Sequence, residues 1–266
     1  MDSGQPDAFE LIAEQIRRNH FIPIPPAERN FVSPQRDDFL GQGIGQLREL
    51  VQVGLRPAHS VLDIGSGIGR TALPLTQYLD TGANYFGLDV NLSGVAWCHE
   101  NITQAYPNFD FAVINAHNPH YLNRYASGQQ SAAVAAWPIQ RDRKFDYACA
   151  FSLFTHIVWD VVERYFANVR DRLKPGGRFY CTWFLIDDDA RTGIDAGQAF
   201  RDFDTSGDGP TYFVKQRKHP AIAHRHDAVL ALAQSAGFSV LQDTAGGWRH
   251  SIHGGGQDTL LLQAPL

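Results

Sequence analysis

Residues 61–75, VLDIGSGIGRTALPL, constrain the fold of this chain more than any other stretch. An apolar run carrying one acid, Asp63, breaks into glycines at alternate positions, Gly65, Gly67 and Gly69, and a helical pattern follows. Glycine lets a backbone turn sharply and lets a ligand approach with no Cβ in the way. In an open parallel sheet, ligands bind beyond the carboxyl ends of the strands. Amides at the start of the next helix can donate to them.

The chain around this motif alternates. Residues 60–64, 85–90, 109–114, 145–151 and 178–185 read as buried strands, with helical patterns between them. The clearest helix covers 160–173, with Asp160 as N-cap, Glu163 completing a capping box, and Pro175-Gly176-Gly177 turning the chain into the next strand. A helix over 227–236 and strands over 238–242 and 259–263 close the chain; the last two have no helix between them and predict an antiparallel hairpin. The alternation predicts an α/β, Rossmann-like, mostly parallel sheet with helices on both faces. Residues 1–56 read as an N-terminal helical arm or lid: a helix over 6–18, a proline-rich extended stretch, then a helix over 38–55 weakened at its start by Gly41, Gly43 and Gly45. Residues 57–266 form the main domain, with a weakly patterned insertion at about 186–220.

Composition excludes several classes. With 23 basic against 28 acidic side chains and a net charge of −5, the chain lacks the clustered basic face of a nucleic-acid binder. Cys98, Cys149 and Cys181 lie far apart with no CxxC, which predicts reduced thiols. There is no signal-peptide pattern and no apolar run of the roughly 20 residues a membrane helix needs. The expectation is a soluble cytoplasmic protein with no membrane partner; homo-oligomerisation stays open.

Two cofactors suit a glycine turn of this kind. A dinucleotide site uses G-x-G-x-x-G, whereas the spacing here is G-x-G-x-G. Asp63, two residues before the first glycine, suits a cationic amino-acid head, and Asp89, at the end of YFGLDV, suits the paired hydroxyls of a ribose.

With VLDIGSGIGR, YFGLDV, FDYACAFSLFTH and VRDRLKPGGRFYCTWFL in this order, residues 40–265 resemble the class I S-adenosylmethionine-dependent methyltransferases. The likeness is greatest to a bacterial subgroup with S-[VL]-F-T-H after the fourth strand and a glycine-rich QD strand at the end, a subgroup associated with surface sugars and secondary metabolites. The resemblance implies seven strands in the order 3-2-1-4-5-7-6, the last antiparallel. It implies S-adenosyl-L-methionine as cofactor, held by Asp63, Gly65, Ser66, Gly67, Asp89, Val90, Asn115, Ala116 and Phe151. Asn115 stands where an aspartate often accepts from the adenine amine, and its side-chain oxygen can accept in the same way.

For catalysis, His156 follows the fourth strand, whose end faces the sulfonium methyl in this fold, and histidine titrates in the range a general base needs. His253 is the alternative base, in GGWRHSIHGGGQD beside Trp248, Arg249, His250 and Asp258; that loop is either an acceptor-side wall or a solvated turn. Three patterns read as decoys. NPHY at 118–121 follows the third strand rather than the fourth, DDD at 187–189 reads as a solvated charge run more than a metal site, and of His219, His224 and His226 the last two are not on one helical face. No metal is assigned.

The expected activity is O-methylation of a small-molecule or glycan acceptor, first a sugar hydroxyl, alternatively an aromatic natural-product hydroxyl. Trp183, Phe184, Tyr212, Phe213 and Trp248 either wall the acceptor pocket or pack as core. The rivals are a nicotinamide-dependent oxidoreductase on a related fold and a non-catalytic cofactor binder.

Overall fold

The computed structural model describes residues 9, 10, 12, 14, 24–32, 38–114, 137–215 and 221–266. The chain divides into two compact units, Met1–Val113 and Ile114–Leu266. Seven strands follow the order β3-β2-β1-β4-β5-β10-β9, and three more form a small sheet in the order β6-β8-β7. The order implied by the resemblance is the one observed, with β10 in the place of its last strand.

In the first unit, β1 (Val61–Ile64), β2 (Tyr85–Asp89) and β3 (Phe109–Val113) run parallel, with Asp63 opposite Gly87 and Asp89 opposite Val113. β1 and β2 are buried along their whole length, as the unbroken apolar runs predict. α1 (Phe39–Gln52) begins where Asp38 accepts the Gly41 N–H at 2.8 Å and buries Ile44, Leu47 and Leu50. It passes straight through the three glycines expected to weaken it. Gly43 has a packing reason: an added Cβ there would stand 2.3 Å from the Arg70 carbonyl oxygen. α2 (Ala72–Leu75) is a single turn, and α3 (Leu92–Cys98) starts on an Asn91 cap and widens into a π-turn over His99–Thr103. The described residues of the expected first helix, Phe9, Glu10, Ile12 and Glu14, are helical.

In the second unit, β4 (Phe145–Ala150) pairs in parallel with β5 (Leu173–Trp183), and β10 (Asp258–Gln263) pairs antiparallel with both β5 and β9 (Ser239–Thr244). α4 (Trp159–Arg172) covers this sheet with Val162, Phe166 and Val169. Two expectations change here. The helix starts one residue early, on Val158 with no side-chain cap, and Glu163 accepts from the Trp159 indole at 2.8 Å instead of closing a capping box. Pro175-Gly176-Gly177 lies inside β5 as a bulge: Gly176 has φ +70° and donates to the Pro265 carbonyl, so the end of the chain satisfies the turn.

The described part of the weakly patterned insertion, residues 186–215, has regular structure. It carries β6 (Leu185–Ile186), α5 (Asp188–Asp195) and β7 (Thr211–Phe213), and β8 (Ile222–Arg225) completes its sheet before α6 (His226–Ser235). Phe184, Ile186, Ile194, Phe203, Tyr212 and Trp248 form its own core. Its strands were illegible because each is four residues or shorter. Among the described residues, no helix is long and apolar enough to cross a membrane.

Candidate functional site

In the first unit the turn after β1 is built as its glycines predict. Gly65, Gly67 and Gly69 have φ of +81°, +59° and +80°, a region that excludes most side chains. The Gly65 and Ser66 N–H groups both donate to the Leu88 carbonyl, Gly67 donates to Asp89 Oδ2 at 2.7 Å, and Gly69 donates to the Ser66 carbonyl. These four amides are therefore satisfied within the protein, and none of them is a free donor for a ligand. The second Asp89 oxygen accepts the Asn91 N–H at 2.8 Å. Asp89 is 9 % exposed; burial pushes its carboxyl up from the ordinary range, against the pull of the Asn91, Gly67 and Val90 amides.

A carboxylate has about four acceptor positions, so with the Gly67, Asn91 and Val90 amides turned to it Asp89 keeps about one for a ribose hydroxyl. The Ser66 hydroxyl oxygen is buried and has no partner among the described residues. A glycine turn, a buried acid closing β2 and an orphaned hydroxyl together fit an adenosyl cofactor. Asp63 is 1 % exposed, and one of its oxygens accepts the Tyr85 hydroxyl at 2.5 Å. Two residues of the expected arm reach this turn: Val32 stands where a Gly67 Cβ would point, 2.5 Å away, and Phe31 lies against Gly94. Asn115 and Ala116 fall outside the described residues.

In the second unit the loop after β4 is held in a strained form. Ser152 has φ +56°, the one non-glycine in the left-handed region among the described residues. Its N–H donates to Thr182 Oγ1 at 2.7 Å, and both its hydroxyl (3.1 Å) and that of Thr182 (2.6 Å) donate to Gln257 Oε1. Thr155 returns a hydroxyl bond to the Ser152 carbonyl, and Ile222 N–H donates to the Thr155 carbonyl. The next residue is His156. Burial, with a smaller push from the Arg201 charge, lowers its pKa to about 4, so the ring is neutral at pH 7. Phe151, at the strand end, packs its ring 5.5 Å from that of Tyr180.

His224 supports the same loop from below. It is fully buried, and its Nε2 lies 3.1 Å and 3.2 Å from the carbonyl oxygens of Phe154 and Ile157, on either side of His156. Carbonyls only accept, so Nε2 carries the proton and Nδ1 faces the Thr211 hydroxyl at 3.3 Å. Burial lowers its pKa to about 4. His226 turns away, its Nε2 lying 2.7 Å from Asp243 Oδ2. His219 and the NPHY stretch lie outside the described residues.

The loop before β10 splits into two parts. Asp258 is fully buried and takes four donors, the N–H groups of Leu185 and Gly246, the Trp248 indole and the Arg249 Nε. Arg249 also bonds both oxygens of Asp187 at 2.7 Å. Asp187 caps α5, and the Asp189 carboxylate faces His250 at 3.0 Å. Burial raises the Asp187 carboxyl, but Arg249, the Ala190 N–H and His226 outweigh it and leave it lowered. This part is a clamp, not an acceptor wall. His253 lies in the other part, exposed among Gly254, Gly255 and Gly256, all with positive φ. Among the described residues no group of acidic, histidine or cysteine side chains could hold a metal ion.

The aromatic residues divide likewise. Trp183, Phe184, Tyr212 and Trp248 are buried core, with Trp183 stacked on Phe154 at 4.0 Å; Phe213 is 44 % exposed. Thr182 had no sequence signal, and Gln257 and His224 stood out only in other patterns, since each bonds a partner distant in the chain.

A parallel sheet of this order, with a glycine turn after its first strand and an acid closing its second, defines a nucleotide-cofactor α/β fold. Residues 31–243 match the family described as a methyltransferase domain. The chain belongs to the class I S-adenosylmethionine-dependent methyltransferase family. It is 25 % identical over 192 residues to the sterol 24-C-methyltransferase of Schizosaccharomyces pombe, a match covering 72 % of this chain and 43 % of that protein. The fold is shared with the magnesium protoporphyrin IX methyltransferase of Synechocystis PCC 6803, solved with bound S-adenosylhomocysteine (TM-score 0.53, 15 % identity, 97 % and 95 % of the two chains covered). It is shared with the glycopeptide N-methyltransferase MtfA (0.52, 15 %, 85 % and 95 %) and the PH0226 protein of Pyrococcus horikoshii OT3 (0.58, 17 %, 92 % and 100 %).

Proposed function

We propose that this chain methylates a hydroxyl oxygen of a small-molecule or glycan acceptor, with His156 as general base. S-adenosylmethionine, when bound, supplies a methyl carbon already activated by its sulfonium. Gly65, Ser66 and Gly67 would lie along it where the backbone turns after β1, and Asp89 would accept from its ribose. Val90 follows the end of β2 and Phe151 the end of β4, and these two with Asn115 and Ala116 complete the set by resemblance.

The observation that carries the reading is the clamped loop after β4. A strained serine, a threonine, a glutamine and a buried histidine all hold one short segment, and that segment presents a neutral imidazole. Strain of this kind persists where surrounding structure over-determines it. A neutral His156 can take the hydroxyl proton as the oxygen attacks carbon. The relatives named above act on different acceptors, so the nucleophile is read from the histidine and not from them.

A screen with isotopically labelled methyl donor against sugars, sugar acids and phenols tests the reading. Mass spectrometry should find the label on oxygen. His156→Ala should lower turnover by about 100-fold or more while leaving S-adenosylhomocysteine affinity within about two-fold. Undiminished turnover moves the base to His253; label on nitrogen or carbon ends the O-methylation reading.

A further inference from the structure

We propose that the acceptor carries an anionic group, a carboxylate or a phosphate, and that Arg201 receives it. The proposal rests on the reading of the loop after β4 as the acceptor side.

Arg201 follows α5 on the way to β7. Its guanidinium carbon lies 4.3 Å from the centre of the Phe200 ring. Among the described residues no carboxylate pairs with it, and its Nε is shut off from solvent with no acceptor. The neighbouring arginines differ. Arg191 donates to the Thr205 carbonyl and the Tyr212 hydroxyl, Arg225 to Asp227 and the Asp208 carbonyl, and Arg249 to Asp187 and Asp258. A ring face attracts the charge but does not satisfy the N–H groups, and a buried unsatisfied donor is costly.

The position is built. The Phe200 N–H donates to the Trp248 carbonyl at 2.7 Å, and its ring reaches the Gly254 position beside His253. From there the Arg201 charge acts on His156. The ring that carries the cation therefore packs against the loop of His253, one of the two candidate bases. A guanidinium presents a flat fork that matches the two oxygens of a carboxylate or phosphate, and a neutral sugar offers nothing of that charge or shape.

Calorimetry on the full chain, loaded with S-adenosylhomocysteine, tests this with matched pairs: glucuronate and glucose 6-phosphate against glucose, and 4-hydroxybenzoate against 4-hydroxybenzamide. At least one acid should bind about ten-fold tighter than its neutral partner, and Arg201→Gln should reduce that preference to about two-fold or less. Arg201→Lys should retain part of it. Equal binding, no binding by any acid, or a preference that survives in Arg201→Gln overturns the proposal. The variant's affinity for S-adenosylhomocysteine should be unchanged. A ten-fold loss there would assign Arg201 to the cofactor's own carboxylate and overturn it too. Failure of the wild-type chain to bind the cofactor would instead sink the function proposed above; the same acid pairs titrated into cofactor-free protein would still report on Arg201.

Discussion

Gly67 and Asp89, 22 residues apart, are joined by a 2.7 Å bond from the glycine amide to Oδ2 of the acid. The bond ties the turn after β1 to the end of β2, so the acid shapes the surface it is proposed to share with the ribose. Asp89→Asn keeps the size but places an NH₂ against one of two amide donors. S-adenosylhomocysteine affinity should fall by about 10- to 100-fold, the scale of a lost charge-assisted bond. Calorimetry reads it; an unchanged affinity would remove Asp89 from the cofactor site.

Two glycines of α1 should respond in opposite directions. Gly43→Ala puts a Cβ 2.3 Å from the Arg70 carbonyl oxygen and should destabilise the fold by about 1–3 kcal/mol. Gly45 has nothing within 4 Å of the same position, so Gly45→Ala should stabilise by up to about 1 kcal/mol through helix propensity. Urea denaturation of the two variants checks the sign of each.

Acid should unfold the chain through its buried imidazoles. His156 and His224 have folded-state pKa values lowered to about 4, so below the ordinary value of 6.5 the unfolded chain binds more protons. Their contribution is complete above pH 6.5 and is lost as the pH falls toward 4. Each adds a slope approaching about 1.4 kcal/mol per pH unit in that window. His224→Gln keeps an amide donor for the Phe154 and Ile157 carbonyls and should make the decline shallower.

Activity should follow the same group with a different signature. If neutral His156 is the base, kcat/KM stays level from about pH 5.5 upward and falls with an apparent pKa of about 4. Arg201→Gln removes a positive neighbour and should move that limb upward by a fraction of a unit, since burial is the larger cause. A limb near 6.5 would mean that some other group is titrating.

Asp258→Asn should be among the most damaging single changes. Both carboxylate oxygens accept two donors each, so an amide NH₂ must face donors whichever way it turns. The loss should be about 3–5 kcal/mol, as when one member of a buried ion pair is removed, and thermal unfolding would show it.

The sheet could be read in advance because its cues are local. The run before Gly65, the acid closing YFGLDV and the apolar stripe of α4 all lie within short windows. The site was legible only where it is backbone. Gly65, Gly67 and Asp89 announce themselves, whereas Thr182 and Gln257 bond Ser152 across 30 and 105 residues. Asp160 misled because the helix opens earlier, on a β-region valine: the Val161 and Val162 N–H groups donate to the Val158 carbonyl, and no side chain caps the start. The DDD run looked solvated because its partner, Arg249, lies some 60 residues further on.

The Arg249 guanidinium grips the cap of α5 with one nitrogen and the start of β10 with another. The insertion is thus soldered to the scaffold by residues that lie outside it. An engineer moving this cap onto another methyltransferase would have to transplant Arg249 and Asp258 along with it. Exchanging the segment alone would strand Asp187 in the graft without the cation that neutralises it.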